Sequence, residues 1–140
     1  MYYKLLTISL LLFSSCSHRI DSKPFEVADA FLTAYFKVDF DNLLPLCLPN
    51  SELKLDMERN ARSLLGERLQ SNESNQSIEQ RLNDLSLYRF KIENIQINQT
   101  KDSAFVLYFI FTPEIPDGIE SRLTLIKVKE EEDWRVAKLL

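Results

Sequence analysis

An α+β domain, helices first and a four-stranded antiparallel sheet after them, is the fold class this sequence predicts. Three observations predict it. Apolar residues recur at helical spacing from Ala28 to Leu85, and past Leu87 the period changes to two. The chain has 140 residues, 45% hydrophobic and 27% charged, which suits one globular domain with its own core.

The first helix is expected to open at Pro24, a residue that suits a first helical turn. Ala28, Phe31, Leu32, Tyr35 and Phe36 follow at i, i+3, i+4, i+7 and i+8, an amphipathic stripe. Asp39 is a cap for a second, shorter helix holding Leu43, Leu44 and Cys47, which Pro45 should bend or shorten. Pro49 and Asn50 end it. Leu53, Met57, Ala61, Leu64 and Leu65 form the stripe of a third helix over 51–68. The polar stretch 71–76 reads as a flexible loop. Ser77 with Gln80 is a capping-box pattern for a last helix carrying Ile78, Leu82 and Leu85.

In the strand half, Tyr88, Phe90 and Ile92 alternate with charged residues, and then Ile95 and Ile97 alternate with polar ones. The apolar phase slips by one between Ile92 and Ile95. A slip would turn half the strand inside out, so a β-bulge is expected there. Residues 98–102 read as a turn, 105–111 as a central strand apolar on both faces, and 113–118 as a turn with Pro-Asp-Gly chemistry. A third strand over 119–129, an acidic hairpin loop over 130–133 and a last strand over 134–139 complete a meander.

Ahead of this body lies an export signal. Met1 to Lys4 carries one positive charge, residues 5–13 are largely apolar, and Ser14-Ser15-Cys16 follows. Nine helical residues rise about 14 Å, half of a hydrocarbon core, so the stretch is not a spanning helix. Leu12-Phe13-Ser14-Ser15-Cys16 resembles the lipobox of bacterial lipoproteins, with Phe13 where leucine is usual. That resemblance implies cleavage before Cys16 and acylation of its thiol, hence a palmitate-type anchor in the bacterial cell envelope. Ser17, where an aspartate would signal retention, favours the outer membrane. The expected organisation is a signal peptide over 1–15, a lipidated cysteine and tether over 16–23, and one domain over 24–140. The only histidine, His18, lies in the tether, which gives a general base no fixed position.

Within the domain, three segments resemble the nuclear-transport-factor-2-like superfamily, also called the cystatin-like cone fold. They are Pro24-x-x-Val27-Ala28-x-Ala30-Phe31-Leu32-x-Ala34-Tyr35, then Asp39-Phe40-x-Asn42-Leu43-Leu44, and finally Trp134-Arg135-Val136-x-Lys138-Leu139. The match is nearest to small lipoproteins of that superfamily. The resemblance implies a curved sheet wrapped about a long helix as a cone whose mouth can hold a small molecule. It also implies that the sheet can serve as a dimer interface. Some members are isomerase-like or dehydratase-like enzymes, and others only bind ligands or partners.

Composition and motifs narrow the function. A net charge of −4 and a pI near 5.1 argue against nucleic acid. Two cysteines are too few for a disulfide framework or a four-ligand zinc site. Phosphate-binding, zinc-protease and serine-hydrolase motifs are absent, and no cofactor or metal is implied. In an isomerase-like reading Tyr35 or Tyr108 would donate a hydrogen bond and Asp39 or Asp102 would accept a proton. Asp39 reads better as a helix cap, Asp102 as a turn residue, and Cys47 as a buried inert thiol. The dehydratase-like His-Asp pair has no histidine in the domain. The chain is therefore expected not to be an enzyme, but to bind a small apolar ligand or a protein partner through the cone or the sheet. An isomerase-like enzyme or an inhibitor-type lipoprotein is the alternative.

Binding residues follow from strand alternation. Phe105, Leu107, Phe109 and Phe111 share one face of the second strand, expected to meet the helices. Tyr35 and Phe109 are then the candidate cone lining. Ala104, Val106, Tyr108 and Ile110 share the other face, too apolar to stay in water. Val106, Tyr108 and Ile110 are the candidate interface for a homodimer or another protein.

Overall fold

A computed structural model describes residues 22–70 and 72–140. Cys16, the expected signal peptide over 1–15 and most of the tether lie outside the described residues. Among the described residues no helix is long and apolar enough to cross a membrane.

Helix α1 (Ser22–Phe36) begins two residues ahead of Pro24, whose side chain is buried in the first turn. Its inward face is Ala28, Phe31, Leu32 and Ala34, while Tyr35 turns partly outward. The helix ends in a Schellman arrangement. Asp39 N–H donates to Ala34 C=O at 2.9 Å and Val38 N–H to Tyr35 C=O at 3.1 Å. Val38 occupies the left-handed position of that cap, φ 56°, where glycine is usual. The Asp39 carboxylate then accepts from Asn42 N–H and caps α2 (Phe40–Leu43). Pro45 cuts that helix short, and Leu44–Leu46 tightens into a 3-10 turn.

Ser51 starts α3 (Glu52–Gln70), accepting from Lys54 N–H at 3.1 Å. Among the described side chains of α3, Leu53 and Met57 are the ones buried in the core; farther along, Leu64 is half-buried and Leu65 exposed. Helix α4 (Asn72–Ser86) runs through the stretch expected to be a loop. Residues 72–76 contain no glycine or proline, so nothing in them breaks a helix. The pattern at Ser77 therefore falls inside α4 rather than at its start.

The sheet is a meander in the order β1-β2-β3-β4, with β1 (Arg89–Ile97), β2 (Ser103–Phe111), β3 (Ile119–Val128) and β4 (Asp133–Leu139). All three pairings are antiparallel, and the sheet is curved and unclosed. The expected bulge is present. Ile92 pairs with Tyr108 and Asn94 with Leu107, so Glu93 is the extra residue. A second irregularity lies opposite Thr124 and Leu125, where Ala137 is extra in β4. Two bulges give the sheet the bends it needs to curl about α1. The outer edge of β4 is partly closed, because Leu48 N–H donates to Val136 C=O at 2.8 Å and Cys47 bridges the same residue.

The core lies between α1 and the concave face of the sheet. Phe31, Leu32, Leu43, Val106, Leu123, Leu125, Trp134 and Val136 are all buried there. The register accounts for it. Ala104 pairs with Leu125 and Val106 with Leu123, which puts these four side chains on the helix side.

Candidate functional site

The two faces of β2 are exchanged relative to the sequence expectation. Ala104, Val106 and Tyr108 point into the core at 0%, 1% and 4% exposure, and Ile110 packs against it, half-buried. The proposed interface of Val106, Tyr108 and Ile110 is therefore interior. Phe105, Leu107, Phe109 and Phe111 lie on the convex face, away from the helices. The physical reason is curvature. A helix seated in a concave sheet leaves little room at the centre, so Ala104 and Val106 fit there and the phenylalanines do not. Side-chain size along the strand was the available cue.

The convex face is an apolar stripe with a polar frame. Phe105 is 54% exposed, and the rings of Phe109 and Phe111 stack at 6.5 Å. Beside Phe105 a depression of about 430 Å³ is lined by Asn94, Gln96, Leu107, Arg122 and Leu140. Two ion pairs lie on this face, Lys91 with Glu93 at 3.0 Å and Arg122 with Glu120 at 2.7 Å.

On the concave side, Tyr35 stacks on Phe31 at 6.1 Å and meets Phe36 edge-on at 5.4 Å. It is 38% exposed at the rim, while Phe109 stands on the opposite side of the sheet. The two residues expected to line one cone do not share a cavity. Burial pushes the Tyr108 hydroxyl above its ordinary pKa, a hydrogen bond to Ser121 pulls it back, and Tyr35 nearby adds to the rise. Trp134 is buried with no acceptor for its Nε1–H among the described residues.

Both carboxylates considered as bases are engaged locally. Asp39 holds the N–H and the side-chain amide of Asn42. Asp102 accepts from Thr100 Oγ1 at 2.7 Å and from Asn98 Nδ2 at 2.5 Å, and these bonds hold its carboxyl below the usual range. Cys47 is buried and its thiol donates to Leu43 C=O at 3.6 Å; burial pushes its pKa up to about 11. In the acidic hairpin, Arg135 reaches Glu131 at 3.1 Å and Asp133 at 3.6 Å.

Sequence reasoning missed the clefts at the end of α4. One, about 260 Å³, lies between the C-terminal ends of α1 and α4 and the start of β1, lined chiefly by Phe36, Lys37, Leu85, Tyr88, Arg89 and Phe90. The other, about 370 Å³, lies between α3, α4 and the turn after α1, with Val38, Phe40, Leu64 and Leu82 in its walls. Leu85 belongs to both.

A long helix gripped by a curved, unclosed antiparallel meander is the architecture the resemblance implied. Four helices followed by a curved, unclosed four-stranded antiparallel sheet are the fold class the sequence predicts. The solved structures of similar fold include a "putative ketosteroid isomerase" from Shewanella frigidimarina, 15% identical, TM-score 0.49, covering 86% of this chain and 95% of that one. They also include a "putative dehydratase from the NTF2-like family" of Streptomyces avermitilis, 12% identical, TM-score 0.44, covering 85% and 92%. No protein-family model and no curated protein matches the chain. At these identities the likeness is one of fold. The expectation that the chain is not an enzyme is corrected: the two structures are named as a putative isomerase and a putative dehydratase, so that exclusion does not stand.

Proposed function

We propose that this chain is a lipid-anchored protein of the bacterial cell envelope whose domain binds a protein partner through the convex face of its sheet. A second copy of the chain is the first candidate partner. The observation that carries the reading is the stripe Phe105, Leu107, Phe109 and Phe111, displayed on the face that the helices leave uncovered. Contiguous exposed apolar surface of this kind marks an interaction site. Four charges of the frame are paired within the face, Lys91 with Glu93 and Arg122 with Glu120, which lowers the like-charge repulsion between two such faces. A small ligand at the centre of the cone is less well supported, since Phe31, Leu32 and Trp134 fill that space.

Anchoring rests on the lipobox-like segment ending at Cys16. One fatty chain gives only marginal membrane binding, whereas two or more make it stable, so a diacylglyceryl cysteine would hold the domain at a membrane surface. Ser17 favours the outer membrane as that surface.

Sedimentation velocity of the full chain over a wide concentration range tests the interface. A concentration-dependent dimer that Phe105→Glu abolishes, with an unchanged circular dichroism spectrum, is the expected result. A monomer at every concentration, or a dimer indifferent to Phe105→Glu, overturns it. Mass spectrometry of protein from native membranes should find the acyl mass on Cys16; an unmodified thiol there overturns the anchor.

A further inference from the structure

The smaller cleft at the end of α4 is a charged site in an otherwise acidic chain. Lys37 and Arg89 stand at its rim, no acid is among its lining residues, and no carboxylate among the described residues pairs with either cation. The whole chain carries a net charge of −4, so a locally unopposed pair of cations is not explained by composition.

Part of that charge has an internal role. The C-terminal ends of α1 and α4 both face the cleft, and each helix terminus is equivalent to about half a negative charge. Arg89 serves the second of them, donating from one guanidinium nitrogen to Ser86 C=O at 2.9 Å and to Tyr88 C=O at 3.2 Å. Two cations against two half-charges leave a surplus of about one positive charge. The same two bonds fix the guanidinium at the rim, so its other nitrogen is already oriented.

The floor is apolar and aromatic. Phe36 stacks on Phe90 at 5.9 Å and leans on Tyr88 at 6.1 Å, and Leu85 closes the side toward the adjoining cleft. A volume of about 260 Å³ lies just below the range of drug-sized ligand sites, which begins around 300 Å³, and so suits a smaller molecule. One negative charge and a small apolar body are what such a site matches.

We propose that the cleft between α1, α4 and β1 binds an apolar monocarboxylate, of the medium-chain fatty acid or aryl carboxylate class. The carboxylate sits between Lys37 and Arg89, and the apolar body lies on Phe36, Phe90 and Leu85. A longer chain would pass Leu85 into the neighbouring cleft, where Val38 lends an apolar wall from its left-handed position. The aromatic floor of this site, Phe36 and Phe90, lies on the helix side of the sheet, and the proposal does not depend on partner binding at the convex face.

Calorimetric titration of the full chain with decanoate tests the proposal, with acetate and decylamine as companion probes. Decanoate should bind, while acetate lacks the apolar body and decylamine carries the wrong charge. The exposed residue Lys37 and the rim residue Arg89 can both be changed to glutamine with little risk to the core. Lys37→Gln with Arg89→Gln should weaken decanoate at least tenfold, and Leu85→Asp should do the same. Lys101→Gln, an exposed change in the turn between β1 and β2, should leave binding unchanged. Equal affinity for decanoate and decylamine, or decanoate binding that survives the double glutamine variant, overturns it.

Discussion

Two glycines show how backbone and space together decide what a residue may be. Gly118 has φ 85°, and a Cβ built on it would lie 2.7 Å from Cε1 of Phe111. Gly66 lies inside α3 with nothing within 4 Å of its would-be Cβ. Gly118→Ala should therefore lose about 2 kcal/mol, combining a left-handed penalty with a displaced ring. Gly66→Ala should gain about 0.5–1 kcal/mol from helix propensity alone. Urea unfolding of the two variants gives opposite signs if this is right. Trp134 is a different case. Its buried Nε1–H has no acceptor among the described residues, a deficit of about 1–3 kcal/mol that Phe would remove while leaving a small void. Trp134→Phe should stay within about 1 kcal/mol of the parent, whereas Leu125→Ala in the same core should lose about 2–5 kcal/mol.

At the scale of elements, the sequence is readable wherever a period survives and silent where two solutions share one. The stripe of α1, the Asp39 cap, the proline-shortened α2 and the four strands follow from spacing and turn chemistry, because each is a local rule. The bulge was legible because Ile92 and Ile95 cannot share a face without it. The convex and concave sides of β2 were not legible from alternation, because both are apolar; only sheet curvature separates Ala104 and Val106 from Phe105 and Phe109. The first residues of helix α4, 72–76, were hidden because they are polar and neither break a helix nor show an apolar stripe. The clefts beside Leu85 depend on how two helix ends meet, which no local pattern encodes. The bulge supplies an element-scale prediction. Deleting Glu93 brings Ile92 and Ile95 to two-residue spacing, so Phe90, Ile92, Ile95 and Ile97 keep one face in strict alternation without a bulge. These four half-buried apolar residues stay against the core, and what is lost is local curvature of the sheet. The deletion should therefore keep a cooperative urea transition, and Glu93→Gln should leave it within about 0.5 kcal/mol of the parent.

For the molecule as a whole, burial of titratable groups sets the alkaline limit of stability. Cys47 and Tyr108 are both held in the core with raised pKa values, chiefly because burial disfavours their ionised forms. Below pH 9 the thiol is neutral in the folded and unfolded chain alike, and folding carries no penalty from it. Above pH 9 the unfolded chain releases the Cys47 proton while the folded chain retains it up to about 11. The unfolded state then binds fewer protons, so stability falls as pH rises. Two pH units correspond to about 2–3 kcal/mol, a large share of the stability of a domain this size. Tyr108 acts in the same direction from its ordinary value of 10 upward. Chemical-denaturation midpoints should be flat from pH 7 to 8.5 and decline between pH 9 and 11. Cys47→Ala should remove most of the decline that starts at pH 9, and Tyr108→Phe should remove only the part that starts later. A midpoint that holds to pH 11 in the parent chain would mean that Cys47 titrates freely, and with it that the 43–48 segment does not stay packed against β4.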